Sequence, residues 1–386
     1  MLRRATGSGP ERAPDFAHLH VASSYSLRYG VDTPAALAAR AAELGMPALA
    51  LTDRDGLYGA VKHAVACAQA EIAPILGADL AVRDEADGRG GDPARRDGAD
   101  GRGGDPARRD GAGRRVTVLA AGKQGWASLC RLVSAAHQGE RGDPAVTPDL
   151  VAEHAANLVV LLGPGSDAGQ AVAARRPDLA AAALRRWRER AETVIEIVDH
   201  RAPGDRFRAG RMLELAREQG LPAVLSNAVR YLEPADGPVA QVLDAARQLV
   251  PLGHRHRDRY NTRAYLASGA EMARIAARVC GDDAAAGQLL TATADLARWC
   301  ALDPVMDLGL GGRFVPETGA ADPLAELRAR CADGLDRRFP AGSGPESARR
   351  RAAAGRRLGD ELEIIAKTGL ASYFLTVADV AALIAG

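Results

Sequence analysis

At 386 residues and 47% hydrophobic content the chain exceeds one ordinary domain and can bury a sizeable core. Fifty Lys and Arg against 49 Asp and Glu leave a formal charge of +1, which excludes a global basic field for nucleic acid; any DNA contact has to come from a local patch. Cys67, Cys130, Cys280, Cys300 and Cys331 lie far apart without a C-x-x-C pair, which argues against a disulfide frame or zinc knuckle and for reduced thiols in the cytoplasm. No apolar run reaches the about 18 residues of a membrane span, and the basic start lacks the apolar core of a signal peptide.

Residues 1–13 are expected to be disordered. The first structured run, residues 15–30, carries His18 and His20 two apart on a short strand. Strand alternation puts both rings on one face and aims them into one pocket, a possible metal site, against the plainer reading of a hydrogen-bonded strand histidine. Thr33 and Pro34 supply an N-cap and a first-turn proline for a helix over 35–44, ended by Gly45. Residues 47–52 read as a buried strand, and Asp53-Arg54-Asp55-Gly56 as the loop at its carboxyl end, where α/β sheets place chemistry. A helix over 57–70 and a strand over 73–82 continue a pattern of parallel strands covered by helices.

Residues 88–113 are a tandem repeat: Gly88 to Asp100 recurs as Gly101 to Gly113, identical except at the last position. The unit has no hydrophobic period, so 84–114 is predicted to be a disordered insertion between two strands. Further strands are predicted at 115–120, 158–162, 193–198 and 221–225, with helices at 125–137, 180–190 and 207–219. Trp126, Leu129, Leu132 and Val133 form one apolar face of the first of these helices. From Pro251 the pattern changes. A basic loop, His254 to Arg259, is read as solvated, and helices follow at 269–280, 284–300, 323–339 and 347–367.

Several stretches carry a family resemblance. They are His18-Leu19-His20 with Ser23, Ser26 and Gly30; Ala48 to Val61 around Thr52-Asp53; Pro74 to Asp79; Gly125 to His137; Ser226 to Tyr231; and Glu361 to Asp379, with its Tyr373-Phe374-Leu375. Together they resemble the PHP (polymerase and histidinol phosphatase) domain that opens the DnaE-type, C-family DNA polymerase III alpha subunit. The resemblance implies a distorted seven-stranded (βα) barrel-like PHP domain over 14–250, followed by a mainly helical start of the polymerase palm region over 251–386. It also implies a metal site, and here the ligand positions are degenerate. Ala22 and Tyr29 replace a His and an Asp, Arg54 replaces a His, Asp79 stands for a Glu, and Ala228 and Arg230 replace an Asp and a His; Asp199 and His200 end a strand nearby.

Two guanidiniums in a divalent site repel the metal by roughly 4 kcal/mol per unit charge at 4 Å and an effective dielectric of 20. Arg54 and Arg230 are therefore expected to pair with Asp53, Asp55, Asp79 or Asp199, with a residual Zn2+ or Mn2+ site on His18, His20, Asp79 and His200 as the lesser alternative. The resemblance further implies the amino-terminal portion of a DNA-directed DNA polymerase in replication or error-prone repair synthesis, the error-prone copy being favoured. Its partners would be DNA and holoenzyme subunits such as the sliding clamp or an exonuclease. Mg2+ would belong to palm aspartates beyond Gly386, so this stretch alone is not expected to polymerise. The rivals are a free-standing PHP phosphoesterase and a purely structural module. Tyr260 to Leu266 and Arg349 to Arg357 read equally as template contacts or as solvated surface.

Overall fold

The structure, a computed structural model, describes residues 16–83, 113–139, 142–252, 261–312, 314–341 and 344–385. The predicted disordered start, the tandem repeat up to residue 112, and the loop at 254–259 with Tyr260 lie outside the described residues. The chain divides into two units, Met1–Leu310 and Gly311–Gly386.

In the first unit, helix α1 (Pro34–Glu43) starts where Thr33 accepts a hydrogen bond from the Ala36 amide and Pro34 presets the first turn. Then come β1 (Ala48–Arg54), α2 (Ala60–Gln69), β2 (Ala73–Val82), β3 (Arg114–Ala120), α3 (Gly122–Ala136), α4 (Pro148–Glu153), β4 (Leu158–Leu162), α5 (Asp167–Ala173) and α6 (Pro177–Arg188). β5 (Glu192–Ile197), α7 (Asp205–Gln219), β6 (Ala223–Leu225), α8 (Gly237–Gln248), α9 (Gly269–Cys280) and α10 (Asp283–Cys300) complete it.

The six strands form one sheet in the order of the chain. β1–β2 are parallel, as the helix-separated pattern predicts, and so are β4–β5–β6, but β3 is antiparallel to both its neighbours. The reason lies in the connection. Val82 pairs directly with Arg114, so the chain returns to the adjacent strand in hairpin fashion, and a long insertion there costs only loop-closure entropy.

The expected seventh strand is present only as an irregular segment. Residues 18–22 hydrogen-bond to β1 on one side (Ala50 N to His18 O, 3.0 Å; Thr52 N to Val21 O, 2.8 Å) and to the stretch after β6 on the other (Ala22 N to Val229 O and Val229 N to His20 O, both 2.9 Å). They thereby link the two ends of the sheet. They do not form a regular ladder, because the Val21 amide donates to the Thr52 hydroxyl at 2.9 Å rather than to a carbonyl, and only Val21–Val229 is a bridge.

Period two on the strands sorts the side chains. Ala48, Ala50, Ile75, Leu119, Val159, Leu161, Val194 and Val224 share one face and pack on Leu296, Ala297 and Cys300 of α10. Further along the same rows stand Asp79, Arg115 and Thr117, and Glu196. The opposite face, with Leu80, Val116, Val118, Val160 and Ile195, buries Leu129, Trp187, Met212 and Met272 of the surrounding helices. α9 and α10 thus belong to the first unit; the Thr293 hydroxyl accepts from Leu225 N at 2.8 Å, and Leu302 N donates to Pro74 O at 2.9 Å.

The second unit holds α11 (Pro323–Arg338), α12 (Pro345–Thr368) and α13 (Ala371–Ala385) around a small core of Leu327, Ala371 and Leu375. Among the described residues no single helix is long and apolar enough to cross a membrane.

Candidate functional site

The polar ends of the inward rows meet a cavity of about 260 Å³ lined by His20, Tyr29, Arg54, Asp79, Arg115, Glu196 and their neighbours. β1 and β2 deliver Arg54 and Asp79 from their carboxyl ends, and β5 delivers Glu196. The reversed β3 presents its amino-terminal end instead, which is how Arg115 and Thr117 reach the same place.

Asp79 is the electrostatic centre. Arg115 Nε donates to its Oδ2 at 2.9 Å, Arg54 Nε lies 3.3 Å from the same oxygen, and Arg115 Nη2 reaches Asp55 at 3.0 Å. Burial alone would raise the Asp79 carboxyl, but Arg115 and Arg54 outweigh it and hold the group below the usual carboxylate range. His20 Nδ1 donates to Glu196 Oε1 at 2.9 Å. Burial pulls this imidazole down, yet the adjacent Glu196 carboxylate overcomes it and carries the ring to about 9, a cation at neutral pH. Gly163 makes room for Glu196, since a Cβ there would fall 2.1 Å from its Oε2.

Tyr29 carries two guanidiniums: the Arg54 and Arg230 carbons sit 3.4 and 4.0 Å from its ring centroid. Arg230 is fixed by Asp244 of α8 through two hydrogen bonds of 2.9 and 3.0 Å, and it donates to the Tyr29 carbonyl at 3.1 Å. The two cations outweigh the upward pull of burial and hold the phenol below its ordinary value. The sequence reading limited Arg230 to Asp53, Asp55, Asp79 and Asp199; its partner is Asp244, because α8 packs beside the 226–230 turn. Arg54 does meet one of the expected partners, Asp79.

The cavity thus gathers His20, Tyr29, Arg54, Asp79, His200 and Ala228, with Arg230 against Tyr29. Ala228 keeps a left-handed backbone, φ 40°, closed by its amide donating to the Ser226 hydroxyl. Arg230 and four further sequence candidates do not line it. His18 is fully buried, donates from Nε2 to Ala267 O at 2.9 Å, and meets Phe16 edge-on; burial lowers it to about 4. Strand alternation fails for the two histidines because the chain bends at Leu19, so they do not share a pocket. Ala22 is buried against Val229. Asp53 turns to the 23–26 loop and accepts from Ser23 N at 2.7 Å, the Ser23 hydroxyl and the Ser26 hydroxyl. Asp199 accepts from Arg201 N and from Arg278 of α9.

Residue pattern could have found Glu196, a charge inside the otherwise apolar run Val194-Ile195-Glu196-Ile197. Arg115 and Asp244 carried no such signal, since both reach the site through strand direction and helix placement that the sequence does not display.

A cluster of divalent ions needs several converging, unprotonated donors. Here the His18 ring is held at Ala267, His20 is a cation on Glu196, the Asp79 oxygen is taken by arginine, and His200 Nε2 donates to Asn227 O at 2.7 Å. Among the described residues no group of three His, Cys, Asp or Glu side chains is placed to hold a metal. The residues present do not fit the metal cluster that the resemblance implies.

The PHP domain family matches residues 18–200. The chain is 31% identical to the error-prone DNA polymerase of Mycolicibacterium paratuberculosis over 97% of its own length and 32% of that protein's. It is 33% identical to the error-prone DNA polymerase of Nocardia farcinica over 95% of this chain and 33% of that one. It is also 30% identical to the DNA polymerase III subunit alpha of Escherichia coli O157:H7, over 94% of this chain and 29% of that one. The chain spans about a third of the length of these relatives.

Proposed function

We propose, from the premise that this chain belongs to the PHP-domain region of DnaE-type DNA polymerase III alpha subunits, that it serves as the architectural amino-terminal part of a DNA-directed DNA polymerase. In this reading the PHP pocket does no metal-dependent hydrolysis. Its role is to brace the barrel mouth in a protein of replication or error-prone repair synthesis, whose partners are DNA and other polymerase subunits.

The observation that carries the reading is the Arg54–Tyr29–Arg230 stack, at positions where the resemblance implies metal ligands, with Asp79 engaged by Arg54 and Arg115. Guanidinium charge and ring stacking take over the electrostatic work that divalent ions do in a competent site. With fixed cations already opposite the carboxylates, a metal would have to displace them and find histidines that are neutral and free.

Metal analysis of the purified chain, with thermal unfolding before and after EDTA and an assay on a chromogenic phosphate ester, tests this. The expected result is no stoichiometric manganese or zinc, no change in melting temperature with EDTA, and no hydrolysis. Tightly held metal together with ester cleavage that His20→Ala abolishes would overturn it in favour of a phosphoesterase.

A further inference from the structure

Away from the mouth of the sheet, α7 presents a second face. Phe207, Arg211 and Leu215 follow one another at i, i+4 and i+8 and so share one side of that helix. With Val172 of α5 and Pro177 and Ala180 of α6 they line a cavity of about 260 Å³. Its floor is apolar: Val172, Ala180 and Leu215 are buried, whereas Phe207, which forms one wall, is 56% exposed. A ring open to water beside a hole of that size leaves apolar surface that an incoming side chain would cover.

Three arginines rim the hole. Arg176 is held by Asp178 through hydrogen bonds of 3.0 and 2.6 Å, and Arg211 by Glu214. Arg175 has no carboxylate partner among the described residues, and its guanidinium carbon lies 5.9 Å from the Phe207 ring centroid. Its backbone is left-handed, φ 57°, in the turn that closes α5, where the Arg176 amide donates to Ala171 O at 2.9 Å. Glycine is the usual residue in such a turn because a Cβ is strained there. An arginine in its place sets one uncompensated cation beside the open ring.

We propose that this cavity captures the carboxyl-terminal residue of a partner polypeptide, its apolar side chain in the hole against Phe207 and its terminal carboxylate on Arg175. With Arg176 and Arg211 each matched by a carboxylate of its own, a single positive charge remains, which suits one carboxylate and not a phosphate dianion or a nucleic-acid backbone. Only at the end of a polypeptide do a carboxylate and an apolar side chain share one carbon; an internal Asp or Glu carries its charge on a side chain of its own. A free small molecule would be poorly enclosed, since sites for such ligands bury most of the ligand surface and here one wall is over half exposed. A chain end needs no such enclosure, because the rest of the chain runs on across the surface, where Leu179 of α6 is also exposed.

The test is fluorescence polarisation of the full chain with a labelled peptide, Gly-Ser-Gly-Ser-Phe with a free carboxyl end, beside the same peptide amidated at that end. Saturable binding of the free acid is expected, weakened about tenfold or more by amidation, since a charge-assisted hydrogen-bonded pair is worth about that much. Arg175→Gly should bind both peptides as the wild type binds the amide; glycine suits the left-handed position, so this variant keeps its fold, which thermal unfolding checks. Phe207→Ser should weaken both peptides alike. No binding of the free acid, equal binding of acid and amide, or binding unchanged in Arg175→Gly or in Phe207→Ser each overturns the proposal. Binding of 3-phenylpropionate as tight as that of the peptide overturns it in favour of a small-molecule site. The cavity is separate from the PHP pocket, so none of these results bears on the metal-free reading.

Discussion

Tyr29, Arg54 and Arg230 act as a set at the mouth of the sheet. Each guanidinium has its own carboxylate, Asp79 for Arg54 and Asp244 for Arg230, and the ring between them carries both. The His20–Glu196 pair is the second unit at this scale. Glu196→Gln removes the carboxylate and leaves burial as the dominant influence on the imidazole, so the His20 pKa should fall from about 9 to below its ordinary 6.5, as followed by NMR titration. Asp53, placed among the site residues by sequence, is a structural acceptor instead. Asp53→Ala leaves the Ser23 amide and the Ser23 and Ser26 hydroxyls without their acceptor, and should cost about 2 to 4 kcal/mol in urea unfolding while leaving the cavity residues in place.

Between elements, α2 is tied to β1 by a buried histidine: His63 Nε2 donates to Leu49 O at 2.9 Å. Burial lowers His63 to about 4 from 6.5, and His18 likewise. A histidine kept neutral in the fold is protonated first in the unfolded chain. The stability it contributes is therefore complete above pH 6.5 and is lost as the pH falls from there toward 4. Urea unfolding across that interval should steepen with acid, and His63→Gln should reduce the slope by about one proton. The β2–β3 return has its own check. Gly77 faces Val118 O, 2.4 Å from where a Cβ would sit, so Gly77→Ala should destabilise by about 1 to 3 kcal/mol, read as a lower urea midpoint. Element identity was largely legible: β2, β4 and α9 match their predicted bounds to the residue, because each is a long apolar run or a periodic face closed by turn residues. Strand direction was not. An apolar run reads the same whichever way it lies in the sheet, and the hairpin-like return across the insertion concealed both the antiparallel β3 and the presence of Arg115 in the site.

On the scale of the whole molecule, the compact units divide after Leu310, whereas the change of sequence character begins near Pro251. α9 and α10 read as a separate helical region, yet they pack on the sheet: Met272, Ile275 and Val279 of α9 join the core of the outer face, Leu296, Ala297 and Cys300 of α10 close the inward rows, and the chain then bridges to β2 through Ala301. The second unit buries little, with only Leu327 inside α11 and no buried residue in α12. Limited proteolysis of the full chain should therefore cut within 311–322 or the later helices first and leave a resistant product ending near residue 310, as mass spectrometry would read. Cleavage spread evenly through the first unit would contradict this. By itself the sequence determined most of the strand and helix inventory and the PHP likeness, since residue type and local period carry that information directly. Which side chains meet at the barrel mouth was decided only by the tertiary structure: the bend at Leu19 separates His18 from His20, reversed β3 brings in Arg115, and α8 supplies Asp244. Those contacts join residues far apart in the chain, and their geometry depends on strand direction and helix placement, which no local pattern encodes.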